Sequence, residues 1–133
     1  MKWFLQYGVV LVVFFAIDLV WLGVIAQKLY AKYLGYLLAE NVNWAAAIIF
    51  YLIFIGGLMY FVIGPSLIDQ NIQQLLIRAA LFGFITYATY DLTNLATVRD
   101  WPLTITLIDL AWGTFLSSSV SLISYFIITT FIQ

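Results

Sequence analysis

The sequence predicts an all-α, polytopic membrane protein, a four-transmembrane-helix bundle running up-down-up-down. Three observations carry this. Of 133 residues, 65% are apolar and only 8% charged, against roughly 45–50% and 25% in soluble domains, so little polar material is left to cover a water-facing surface. Four apolar runs are each long enough to cross a hydrocarbon core, which takes about 20 helical residues. The stretches between them are too short for a soluble domain, and the chain reads as a single four-helix transmembrane domain over residues 1–133.

The first span is read at residues 3–26. Lys2 ahead of an apolar run also opens a signal peptide, but this run is too long for one, contains Asp18, and ends in Gln27-Lys28, a poor cleavage context. The second span, residues 44–64, carries no charge and is expected to stop at Pro65. The third, residues 75–97, places Arg78 near its start, where the long side chain reaches the interface. The fourth, residues 103–131, opens behind Asp100 and Pro102, a normal helix start. Trp3, Trp44 and Trp101 sit at span ends, where amphipathic rings favour the headgroup level. The first connection carries Lys28, Tyr30, Lys32, Tyr33 and Tyr36, read as surface anchoring.

Charge and absent residue types narrow the chemistry. A net charge of -1 offers no basic patch for a nucleic-acid partner. The chain has no cysteine and no histidine, so haem and zinc are not expected cofactors. A hard divalent cation, which accepts all-oxygen ligation, remains open. Ser117, Ser118 and Ser119 have no histidine to activate a nucleophile. Lys2 and Arg78 fall on one side and Lys28, Lys32 and Arg99 on the other. This near-balance weakly places both termini in the cytoplasm and leaves room for dual insertion and a homodimer.

The informative residues are the acids inside the spans. Three of the six acidic residues, Asp18, Asp91 and Asp109, fall within apolar runs, at an insertion cost of about 2.5–3.5 kcal/mol each at a helix centre. In an up-down bundle the ends of spans one and three lie beside the start of span four. At about 1.5 Å per residue all three acids then sit roughly 9–12 Å below one membrane face, in a single layer. Each has a partner one turn on: Asp18 with Trp21, Asp91 with Asn94, Asp109 with Trp112. The Asp-Leu-x-Trp echo in spans one and four is read either as a remnant of duplication or as coincidence. Tyr87 and Tyr90 flank Asp91, and the tryptophans beside acids suit a cation or ligand cage. Asp109, Gly113, Ser117 and Ser121 recur every four residues, a small-residue stripe that turns Asp109 inward; Gly83 on span three and Gly56 and Gly57 on span two also suit close helix packing. Span two has no acid and reads as scaffold.

Residues Tyr90-Asp91-Leu92-Thr93-Asn94 through Trp101-Pro102, followed by Asp109-Leu110-Ala111-Trp112-Gly113-Thr114, with Asp18-x-x-Trp21-Leu22-Gly23 and Val42-Asn43-Trp44, resemble a bacterial family of predicted four-span membrane proteins, domain-of-unknown-function family 2177. The resemblance covers essentially the whole chain. It implies a multi-pass protein of the bacterial inner membrane and brings no reaction, cofactor or catalytic residue.

Three carboxyls close together in low dielectric cannot all be ionised without a counterion, so the layer must hold protons, a cation or both. Three functions follow. One is a small proton- or cation-coupled carrier using Asp18, Asp91 and Asp109. A second is a membrane-embedded lipid-modifying enzyme, with Asp91, Asn94 and Asp109 holding a divalent metal and Asp18 as general base. The third is a non-catalytic assembly subunit, or a binder of a hydrophobic cofactor such as a quinone. Membrane lipids are the expected partners throughout.

Overall fold

The computed structural model describes residues 2–38 and 43–132; Val42, in the expected entry to the second span, lies outside them. The described residues form helices without strands. Four of these helices are long and apolar enough to cross a membrane: Lys2–Leu34, Trp44–Asp69, Ile72–Thr97 and Leu103–Phe131.

The first comprises α1 (Lys2–Val20), a π-helical stretch (Trp21–Ala26) and α2 (Gln27–Leu34). Helix therefore continues into the segment expected as a surface loop from residue 27. The reason is packing: Leu34 is buried with Trp101 and Ile105 against the turn leading into the last helix, and Tyr30 and Tyr33 lie alongside. At 33 residues the rod reaches about 50 Å, well beyond a hydrocarbon core of about 30 Å.

The second rod runs through α3 (Trp44–Leu58), a π-helical stretch (Met59–Ile63) and α4 (Gly64–Asp69). Asn43 caps it, its side chain accepting the Ala46 N–H at 3.2 Å. Pro65 does not end this rod as expected. A proline deletes one i→i−4 donor and crowds the carbonyl four residues back. Here the Gly64 N–H bonds instead to Met59 O, five residues back, and this wider register absorbs the lost bond.

Gln70, at φ 55, turns the chain into α5 (Ile72–Thr97), capped by Asn71. Arg78 reaches back to Asp69 at 2.9 Å and to Ser66 Oγ at 3.1 Å, tying α5 to α4. A short turn through Asp100, at φ 60, leads into α6 (Leu103–Phe131). Trp101 is buried there and donates to Thr106 Oγ at 3.1 Å. It is thus a packed residue, unlike Trp3 and Trp44, which are exposed.

The closest helix pair is α5 with α6. A Cβ at Gly83 would collide with the Gly113 carbonyl and Ser117 Oγ, and one at Gly113 with the Tyr87 ring. Gly83, Gly113, Ser117 and Ser121 are all buried. On α3, a Cβ at Gly57 would lie 2.7 Å from the Phe82 ring, whereas one at Gly56 meets nothing within 4 Å. Gly56 therefore makes no close helix approach, because one residue turns the helix face by about 100°. Val10, Phe14, Ile55, Leu58, Leu116 and Val120 form the centre of the core, while Val12, Ile53, Phe61 and Leu81 point outward, as expected where lipid is the solvent.

Candidate functional site

Tyr87 of α5 stands among all three buried acids, with Asp18, Asp109 and Asp91 each close enough to act on its hydroxyl electrostatically. The acids do not form one cluster. Among the described residues no three of Asp, Glu, His or Cys converge as metal ligands would. They divide into a pair and a single residue, each in its own cavity.

The pair is Asp91 and Asp109. Burial is nearly complete for both, and their carboxyls lie near enough to interact. Neither oxygen of Asp91 meets the geometry of a hydrogen bond. On the other side, the Tyr30 hydroxyl donates to Asp109 Oδ1. The pair lines a cavity of about 330 Å³ whose other walls are Phe50, Thr86, Tyr87 and Tyr90. The Thr86 hydroxyl is occupied by the Phe82 carbonyl at 2.8 Å. Phe50 and Tyr90 are exposed, so the cavity opens sideways to the bundle surface at these two side chains, one on α3 and one on α5. Tyr90 packs edge-on against Trp101, centroids 5.8 Å apart. Asn94 is turned towards Tyr90 and does not line the cavity. The donor set facing the cavity is therefore two carboxylates and phenolic hydroxyls, short of the six or more oxygens a hard divalent cation takes.

Asp18 is 5% exposed and faces a second cavity of about 180 Å³. The Tyr51 hydroxyl and the Trp112 indole N–H lie close to its carboxyl, neither at hydrogen-bond geometry. Trp21, Tyr30, Phe50, Tyr51, Tyr87 and Trp112 wall this cavity. Phe50 and Tyr87 line both cavities, and Tyr30 lines one while bonding an acid of the other. Trp21 and Trp112 stack with centroids 4.3 Å apart and planes 11° from parallel.

A model for a family of predicted membrane proteins, DUF2177, matches residues 3–126. The chain belongs to this family. No curated protein and no solved structure matches it. The family description gives DUF2177 proteins a membrane setting and no reaction, so for this member the chemistry has to come from the site.

Two residues of the candidate site in this DUF2177 member escape a reading of the sequence. Tyr30 was expected at the surface and Tyr51 belongs to the helix read as scaffold. Tyr51 lies on α3 opposite Asp18, a relation of tertiary packing alone. Tyr30 reaches Asp109 because of the π-helical stretch. Nine residues of regular helix from Trp21 sweep about 900°, leaving residue 30 on the opposite face; one residue taken up in the wide turn returns it by about 100°. Gly23 within that stretch is the one local signal.

Proposed function

We propose that this protein is a small proton-coupled carrier of a cation in the bacterial inner membrane, surrounded by lipid, with Asp91 and Asp109 as the proton-exchanging pair. One observation carries the reading: two facing, buried carboxyls, one of them without a hydrogen-bond donor, line a cavity with aromatic walls. Such a pair holds one proton or one cation far more easily than two negative charges. Exchange of proton for cation is the direct chemical consequence. Tyr30 steadies Asp109 and leaves Asp91 as the member free to bind.

The test uses the full chain in liposomes loaded with a pH-sensitive dye and with sodium, potassium or tetramethylammonium trapped inside. An inward proton gradient should collapse faster with one of these cations present than with none. Asp91→Asn should abolish the difference. A cation-dependent collapse that survives Asp91→Asn overturns the assignment.

A second reading, a lipid-modifying enzyme using the pair as acid and base, is favoured by the sideways opening. Phe50 is six residues into α3, about 9 Å along the helix from Trp44, near headgroup-to-acyl depth. Mass spectra of bilayer lipid incubated with wild type and Asp91→Asn separate the two: a new lipid species made only by wild type supports the enzyme.

A further inference from the structure

The Asp18 cavity differs in chemistry from the Asp91–Asp109 cavity. Its one carboxyl is buried and shares the cavity with the Tyr51 hydroxyl and the Trp112 indole. Six aromatic side chains make up most of the wall. We infer that this cavity is a distinct binding site for an alkylated ammonium group, held by the Asp18 charge and the surrounding aromatic rings.

Three features choose that class. A compact metal ion would give up its water and receive one carboxylate and at most three phenols in return, too few oxygens for magnesium or calcium and no carbonyl ring for an alkali ion. An alkylated ammonium is weakly hydrated, and aromatic walls attract it through their π faces. Besides Asp18 the walls offer aromatic faces and few acceptors, so the site favours a cation with few N–H groups of its own. A volume of about 180 Å³ suits a headgroup-sized cation and leaves longer chains outside. Exposed Leu22 and Phe50 on the wall mark the way in, on the flank between the first and second rods.

The inference does not depend on proton exchange, since equilibrium binding at Asp18 needs no proton movement at Asp91. Purified full-length protein in phosphatidylglycerol nanodiscs is titrated with tetramethylammonium chloride, with sodium chloride as the ionic-strength control. Intrinsic tryptophan emission is the readout, because Trp21 and Trp112 wall the site. Wild type should give a saturable change that sodium does not reproduce. Asp18→Asn should weaken binding at least about tenfold while helical circular dichroism and gel-filtration volume stay unchanged; Tyr51→Phe, a milder replacement, should change affinity by less than Asp18→Asn does. Gly56→Ala, at a position with open space around it, should leave affinity within about twofold. Repeating the titration in phosphatidylcholine discs assigns the source: competition points to a lipid headgroup, no competition to a free amine. No saturable change in wild type, an equal response to sodium, or unaltered affinity in folded Asp18→Asn overturns the site.

Discussion

Trp21 and Trp112 lie face to face, 4.3 Å between centroids and 11° from parallel, and each serves the other's aspartate. Trp112 follows Asp109 by one turn yet walls the Asp18 cavity, its indole N–H near that carboxyl. Trp21 follows Asp18 by one turn and contacts Tyr30, which in turn donates to Asp109. The crossing follows from direction: on antiparallel helices, one turn towards the C-terminus of one is one turn towards the N-terminus of the other. The stacked rings wall the Asp18 cavity and not that of the Asp91–Asp109 pair; Phe50 and Tyr87 are the walls the two cavities share.

Removing the latch should cost stability in a way that reports its partner. Tyr30→Phe should destabilise the protein by about 1–2 kcal/mol, read by thermal unfolding in detergent. In an Asp109→Leu background the same change should cost under about 0.5 kcal/mol. Equal costs in both backgrounds would show that the ring, and not the hydroxyl, matters.

Deleting Val24, an exposed residue of the π-helical stretch, should take out the extra residue that the wide turn absorbs, so that regular helix places Tyr30 eight residues from Trp21, about 800° on, facing Asp109 as before. Tyr30→Phe should then still lower the unfolding temperature. Loss of that effect would show that the wide turn itself, and not the residue it absorbs, sets the latch.

Asp91 should be a residue whose loss strengthens the fold. Its buried carboxyl makes no hydrogen bond, so Asp91→Leu should raise stability by about 1–3 kcal/mol while removing cation-dependent proton movement. A lower melting temperature would mean that the carboxyl has a structural partner.

Glycine replacements should rank by the space around them. Gly83→Ala meets backbone as well as the Ser117 hydroxyl and should cost about 1–3 kcal/mol. Gly56→Ala meets open space and should be neutral or stabilising by up to about 1 kcal/mol. Thermal unfolding of both variants checks the order.

Much of this molecule was legible from sequence because lipid imposes simple rules. Apolar runs of spanning length fixed four helices, and the stripe through Gly113, Ser117 and Ser121 marked the face of α6 that packs on α5. The acids at residues 18, 91 and 109 were recognisable because a carboxyl in an apolar run is costly wherever it sits. Pro65 misled because a proline's cost depends on whether a nearby wide turn reroutes the bond. Asn94 misled because one helical turn from Asp91 puts a residue near the same face without putting it in the same cavity.

By itself, then, the order of residues determined that the chain is a helical membrane protein and which side chains were candidates for chemistry, since burial in hydrocarbon depends on composition along each helix. Tertiary structure alone decided how those side chains are shared out: Asp91 with Asp109, Asp18 apart in a cavity that the stacked tryptophans line, Tyr30 swung onto Asp109. Those pairings depend on relative rotation of helices distant in sequence, and a single residue gained in a π turn changes that rotation by about 100° while leaving hydropathy untouched.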